Sequence, residues 1–203
     1  MELIVGTWNQ GKLNEMQEAL ALVPSDVHLV GIQEYLTNPL APSESGATYY
    51  DNALEKARFY SDLLQKPVLA DDGGLALAAF PELLGVHTSR FFKSHTGPEK
   101  NQELLALYNT PELQNPAKRQ LTLHACLVYV SPTGNILSAS AALTGQLVAP
   151  TGSGGYGFDP IFYVPSLGKT LAQLPTSQRN ALSPRVQALQ QLIPQIKELS
   201  END

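Results

Sequence analysis

Hydrophobic positions along this chain follow two spacings. Short continuous apolar runs at residues 3–7, 27–32 and 68–70 predict buried strands. Apolar residues at helical spacing follow the first run, with Leu13, Met16, Ala19 and Leu20 inside residues 11–22. The same period gives Ala53, Ala57, Tyr60 and Leu64 on one stripe of residues 49–65, and a further amphipathic helix is expected at residues 98–108. Residues 33–48 carry Asn38-Pro39, further Pro and Ser, and Gly46, and read as a loop. Between residues 120 and 148 the period changes to two. Leu121, Leu123, Ala125, Leu127 and Tyr129 alternate with Thr122 and His124, and Pro132-Thr133-Gly134 marks the turn of a long hairpin. Ser183 and Pro184 open a final helix, Ser as cap and Pro in the first turn, and Pro194 is expected to kink it. A βαβ-like start, a hairpin and a last helix predict an α/β fold on a mixed central sheet.

The length of 203 residues suits a single domain, 1–203, built as two lobes. With 43% apolar and 16% charged residues the composition is that of a soluble globular protein. The net charge of -6, with no basic block, argues against nucleic acid as a partner. An anionic substrate must then be held by a few local cations or a metal ion. Cys126 is the one cysteine, so there is neither an intrachain disulfide nor a cysteine zinc cage. The first residues, MELIVGTW, lack the basic region of a signal peptide, and no apolar run reaches membrane-spanning length. A cytoplasmic protein with no membrane partner is expected.

Two stretches approach known phosphate motifs and miss them. Gly6 to Lys12 has the P-loop spacing, but Leu13 stands where a hydroxyl must reach magnesium. A strand, a tight turn and a helix start remain, with Lys12, Thr7 and Asn9 beside backbone N–H groups suited to an anion. On spacing alone, a plain strand-to-helix turn with a surface lysine fits as well. Gly152, Gly154 and Gly157 likewise match the dinucleotide fingerprint. Pro160 then keeps Asp159 out of helical dihedrals, and no acidic residue follows before Glu198. This stretch reads instead as a loop presenting Tyr156, Phe158 and Asp159, a set suited to stacking on a purine and accepting its N–H, or as a glycine-rich hairpin loop with core aromatics.

The stretch VLADDGGL puts Asp71 and Asp72 where an apolar strand is expected to break into glycine. Adjacent carboxylates repel unless a cation or proton lies between them, and Mg²⁺ with oxygen ligands is the natural choice. Glu44 could add an oxygen, while Gly73 and Gly74 admit a phosphate close to the backbone. The competing reading is an exposed Asp-Asp-Gly-Gly turn. His28, His87, His95 and His124 are scattered, His124 and Cys126 share one strand face as core residues, and Arg90 suits a surface ion pair as well as a substrate.

Taken in order, five stretches carry a resemblance. TWNQGKLNE is similar to T-x-N-x-x-K-x-x-E, ESGATYYDNALEKA to E-T-G-x-T-F-x-E-N-A-x-x-K-A, and LADDGGLAL to A-D-D-S-G-L. GSGGYGFDPIF is similar to G-x-G-G-F-G-Y-D-P-I-F, and QRNALSPR to E-K-N-x-x-S-H-R. Together they resemble the inosine triphosphate pyrophosphatases, the non-canonical purine NTP pyrophosphatases, over nearly the whole chain. The resemblance implies two lobes flanking a substrate cleft, a homodimer, and Mg²⁺-dependent hydrolysis of ITP, dITP and XTP to monophosphate and pyrophosphate. It assigns Thr7, Trp8, Asn9, Gln10, Gly11 and Lys12 to the phosphates, with Lys56 and Gly73 beside them. Glu44, Asp71 and Asp72 become the metal-side carboxylates, Asp72 also the proton acceptor. Tyr156, Gly157, Phe158 and Asp159 hold the base, and Arg179, Pro184 and Arg185 close on the nucleotide.

Three positions depart from the pattern. Gly73 replaces a Ser, Arg179 replaces a Lys with a different shape, and Pro184 replaces a His at the base-recognising end. They leave two rival functions to test: a related pyrophosphatase of different base preference, and a nucleotide-binding regulator without turnover.

Overall fold

The computed structural model describes residues 1–21, 26–40, 42–92 and 96–202. Residue 22, the end of the helix expected at 11–22, and His95 lie outside the described residues. Seven strands form one mixed sheet in the order β2-β1-β3-β4-β5-β6-β7. They are β1 (Glu2–Val5), β2 (His28–Gly31), β3 (Val68–Leu77), β4 (Gln120–Val130), β5 (Ile136–Leu147), β6 (Phe162–Val164) and β7 (Lys169–Thr170). The helices are α1 (Gln10–Ala21), α2 (Tyr49–Leu64), the one-turn α3 (Thr88–Phe91), α4 (Gly97–Ala106), α5 (Thr176–Leu182) and α6 (Pro184–Asn202). β1 pairs in parallel with β2 (Leu3 opposite Leu29) and with β3 (Val5 opposite Leu69). β6 runs antiparallel to β5 and to β7. The mixed α/β fold expected from the hydrophobic pattern is the one observed.

The chain divides into two compact units: residues 1–73, 125–141 and 184–203, and residues 74–124 and 142–183. In the first unit, strand alternation separates two cores. Leu3, Val5, Leu29, Leu69 and Leu127 pack with Leu13 and Met16 of α1 and with Ala188, Leu192 and Ile196 of α6. Their strand neighbours Ile4 and Val68 pack with Ile32 and Tyr60, and Ala70 packs with Ala53 and Ala57 of α2. Each fully buried aliphatic side chain contributes on the order of 1.5–3 kcal/mol. The second unit has its own core, in which Leu75, Leu104, Tyr108, Leu121, Ile161 and Phe162 meet.

One local expectation changes, while the last helix opens at Pro184 as expected. β3 does not stop before the acidic pair; it continues through Asp71-Asp72-Gly73-Gly74 to Leu77. Flanking apolar residues on both sides of the pair sustain the strand, so neither a strand end nor an exposed turn describes it. α6 continues through Pro194, which lies inside the helix. Ser183 closes α5, its N–H donating to the carbonyls of Arg179 and Asn180, and α6 begins at Pro184. α5, β6 and β7 were too short to announce themselves in the hydrophobic pattern. Among the described residues, no helix is long and apolar enough to cross a membrane.

Candidate active site

The first unit collects its charged residues around two adjacent side chains of β3. Asp71 and Asp72 point to opposite faces because successive strand residues alternate. Asp71 is 1% exposed. Its Oδ2 accepts from Lys12 Nζ at 3.0 Å and from Arg185 Nε at 2.9 Å. Arg185 also donates through Nη1 to Glu15 Oε2, so α1, β3 and the first turn of α6 are joined by charge. Burial alone would raise the Asp71 pKa, but the nearby Lys12, Arg185 and Lys56 charges outweigh it and hold the carboxyl well below the usual range. The same burial lowers the pKa of Lys12, in spite of Asp71 beside it and with Arg185 and Lys56 adding to the effect. Oδ1 of Asp71 is buried and makes no hydrogen bond.

Asp72 has other company. Asn52 Nδ2 donates to its Oδ2 at 3.0 Å, and Lys56 Nζ lies 3.7 Å from its Oδ1. Lys56 donates to Glu44 Oε1 at 2.8 Å, which places one ammonium between two carboxylates. Burial pushes the Asp72 pKa up, more than Lys56 and the Asn52 hydrogen bond pull it down. Burial works against the Lys56 charge, but Asp71, Asp72 and Glu44 outweigh it and raise its pKa.

α2 presents Asn52 and Lys56 one turn apart, and a capping box fixes where that helix starts. Thr48 Oγ1 accepts from Asp51 N at 3.1 Å, and Asp51 Oδ2 accepts from Thr48 N at 3.1 Å. Asn52 Oδ1 accepts from Gly46 N at 2.8 Å, fixing the backbone two residues past Glu44. Glu44 itself sits at φ 47, a left-handed conformation uncommon for a side-chain-bearing residue.

The 7–12 turn is a helix start, and its polar side chains first serve the backbone. Asn9 N donates to Thr7 Oγ1 at 3.2 Å, and Lys12 N donates to Asn9 Oδ1 at 3.2 Å, so Asn9 caps α1. Gln10 Nε2 donates to Asn14 Oδ1, and Gln10 lines a cavity of about 770 Å³ with Leu13, Gln17, Leu29 and Tyr35. None of the other expected site residues lines that cavity. Trp8 Nε1 donates to the Tyr60 hydroxyl at 3.1 Å. Gly11 lies in the first turn of α1 and Gly73 within β3.

In the second unit the glycine-rich loop is a tied structure. Tyr156 N donates to Asp159 Oδ2 at 3.0 Å, and Arg179 Nε lies 3.7 Å from that oxygen. Gly155 has φ +72, and a Cβ there would stand 1.8 Å from Asp159 Oδ2, so only glycine lets the loop close on its own carboxylate. Phe158 packs into the core, 5.6 Å from the Phe92 ring, and Asn101 Nδ2 of α4 donates to Gly157 O at 3.1 Å. Tyr156 is the exposed aromatic, at 44%. Of the expected aromatic and acidic set, Tyr156 is therefore presented outward, while Phe158 and Asp159 shape the loop. Arg179 also donates to Leu174 O and Thr176 Oγ1. Pro184 starts α6 and offers packing but no hydrogen bond from its ring.

Thus ion pairs join Lys12 and Arg185 to Asp71, and Lys56 to Glu44 and Asp72. Tyr156, Gly157 and Asp159 belong to the glycine-rich loop of the second unit, which Arg179 reaches from α5. Glu15 and Asn52 complete the first set; both stand inside the quoted motifs, where the final Glu of T-x-N-x-x-K-x-x-E and the Asn of E-N-A were the available signals. Asn101 had no such signal.

Among the described residues, no three His, Cys, Asp or Glu side chains are placed to hold a metal ion by themselves. The expected trio of Glu44, Asp71 and Asp72 is split because Asp71 is turned to Lys12 and Arg185. Glu44 and Asp72 nevertheless suit Mg²⁺: it takes hard oxygen donors and is commonly held by one or two carboxylates, with substrate phosphates completing its shell. The ion pairs form two clusters: Asp71 and Glu15 balance Lys12 and Arg185, while Glu44 and Asp72 share only Lys56, which leaves one negative charge in excess on that side.

The sequence profile of the Ham1 family matches residues 3–195. A dITP/XTP pyrophosphatase from Lactobacillus johnsonii is 35% identical over 200 residues, 96% of this chain and 94% of that protein. One from Geobacillus kaustophilus is 34% identical over 203 residues, 98% of this chain and 95% of that protein. Among solved structures, a HAM1 protein from Coxiella burnetii superposes with a TM-score of 0.82 at 33% identity, covering 98% of this chain and 99% of that one.

Proposed function

The chain belongs to the Ham1 family, and from that premise we propose that it hydrolyses dITP, XTP and ITP to the monophosphate and pyrophosphate. Its chemistry is that of a hydrolase acting on an acid anhydride. The observation that carries the reading is the buried aspartate pair of β3, one carboxyl held ionised by Lys12 and Arg185, its neighbour raised in pKa beside Asn52.

The two aspartates divide the work. Asp71 is a fixed anion that locks Lys12 and Arg185 in place. Lys12, Lys56 and the N–H groups at the start of α1 then suit phosphate oxygens. Asp72 keeps Oδ2 on Asn52, and its Oδ1, 3.7 Å from Lys56 Nζ, is the atom to accept a proton from water. A carboxylate of raised pKa is the better base for that step. Water oxygen bonds to the α-phosphorus, the α–β bridging bond breaks, the proton passes to Asp72, and pyrophosphate leaves. Glu44 and Asp72 are the residues that would hold Mg²⁺, which supplies charge neutralisation on the phosphates. The Tyr156–Asp159 loop takes the base, Tyr156 by stacking. Donors that fit a 6-oxo purine are left unpaired by a 6-amino one, a discrimination of about 1–3 kcal/mol per buried group. We further propose a homodimer, which light scattering would test.

Pyrophosphate release from dITP, XTP, ITP, GTP and ATP, with and without Mg²⁺, tests the whole reading. Turnover of 6-oxo purines that needs Mg²⁺ and is lost in Asp72→Asn supports it. Tight binding without turnover would point to a regulator, and a pyrimidine preference to a different pyrophosphatase.

A further inference from the structure

One hydroxyl of the first unit is placed for a task that neither packing nor the ion-pair network uses. Tyr60 lies on α2, one turn after Lys56, and is 1% exposed. Its ring stands under the turn: a Cβ on Gly6 would come within 2.7 Å of it. Its hydroxyl donates to the Leu40 carbonyl at 2.6 Å and accepts from Trp8 Nε1 at 3.1 Å. Lys56, on the same stripe of α2, donates to Glu44 Oε1 at 2.8 Å. Residues 40 and 44 are thus each gripped by one of two side chains a helical turn apart. Glu44 itself sits in a left-handed backbone conformation, of a kind that persists only where its surroundings over-determine it.

Phenylalanine would fill this place as well if only volume mattered, since a buried phenol must find partners. Tyr60 finds two, one in each segment that carries phosphate-side residues.

We propose that Tyr60 is a positioning residue: its hydroxyl fixes the Trp8 indole and the Leu40 carbonyl together, setting the 7–12 turn and Glu44 in mutual register for the triphosphate. The proposal rests on the pyrophosphatase reading above and extends it to a residue outside the site proper. Trp8, the single tryptophan of the chain, then belongs to the clamp and supplies its own optical reporter.

The test compares the full-length wild type with Tyr60→Phe, Glu44→Gln and their combination, using dITP and XTP. Tyr60→Phe is expected to raise KM about fivefold to tenfold, since both hydrogen bonds of the hydroxyl are lost, with kcat within about twofold. The double variant is expected to exceed Glu44→Gln by much less than that factor, because both act on one loop. Acrylamide quenching of Trp8 emission should increase in Tyr60→Phe. A KM that does not move, a loss confined to kcat, or KM effects that simply multiply would each overturn the proposal. If wild type releases no pyrophosphate, the pyrophosphatase reading fails on its own, and unchanged Trp8 quenching in Tyr60→Phe would then sink the clamp separately. Should Tyr60→Phe not fold, Trp8→Phe must show the same KM shift in smaller measure, and its absence counts against the clamp.

Discussion

Asn52 and Asp72 stand 20 residues apart in sequence and are joined by a 3.0 Å hydrogen bond to one carboxylate oxygen of Asp72, while the other faces Lys56. Asn52 spends its other end on the Gly46 amide. A single amide therefore orients the proposed proton acceptor and the backbone next to Glu44. Asp72→Asn is expected to lower kcat by about 10²- to 10⁴-fold, the range for a general base. Asn52→Ala should lower kcat less and also destabilise the fold by about 1–3 kcal/mol, since the Gly46 amide loses its partner. Steady-state rates beside urea unfolding would separate the two effects.

The neighbouring aspartates give opposite pH dependences. The folded pKa of Asp71 is depressed, so its contribution is complete above the unfolded value of about 3.9 and is lost as pH falls below it. Asp72 has a raised folded pKa, so its contribution is present below that unfolded value and lost as pH rises through the folded one. Asp71→Asn should accordingly weaken the protein by about 3–5 kcal/mol at neutral pH, where Lys12 and Arg185 lose their buried partner. It should also flatten the acid limb below about pH 4. Asp72→Asn should be close to neutral for stability at pH 7, or stabilising. Denaturant midpoints measured from pH 3 to 8 would show both, and an unaltered acid limb in Asp71→Asn would refute the first.

The loop of the second unit depends on a backbone that only glycine allows. Gly155→Ala meets both a positive φ and the Asp159 carboxylate, so the Tyr156–Asp159 bond should break. A rise in KM for dITP and XTP is expected, with weaker change in the binding of inorganic tripolyphosphate. Isothermal titration with both ligands checks it.

Asn101 steadies the same loop from α4. Asn101→Leu removes the donor to Gly157 O and relieves a buried Oδ1 that has no hydrogen-bond partner. Stability should therefore change little, because both halves of the amide go together, while KM rises by a few fold. A kcat loss without any KM change would contradict this.

Much of the fold was legible because strand alternation and helical spacing survive intact in residues 3–7, 49–65 and 120–148. The acidic pair was legible as chemistry but not as structure. Asp-Asp-Gly-Gly has the composition of a turn, and only tertiary pairing with its sheet neighbours keeps it extended. Lys12 and Arg185 could be named from motif order, yet their shared partner, Asp71, could not, since Arg185 lies 114 positions away. Tyr60 read simply as one more apolar position on the α2 stripe. Its hydroxyl acquires meaning only once Leu40 and Trp8 are brought to it, and no local pattern encodes that meeting.

Pro184 immediately precedes Arg185 at the head of α6. Its ring restricts the unfolded chain at the one point where the guanidinium must be aimed. Less disorder has to be surrendered when Arg185 docks on Asp71, so exchanging Pro184 for the imidazole found in the related motif sets a new polar contact against looser anchoring. Pro184→His is therefore expected to loosen the Arg185–Asp71 anchor, whatever its ring gains in polar contact.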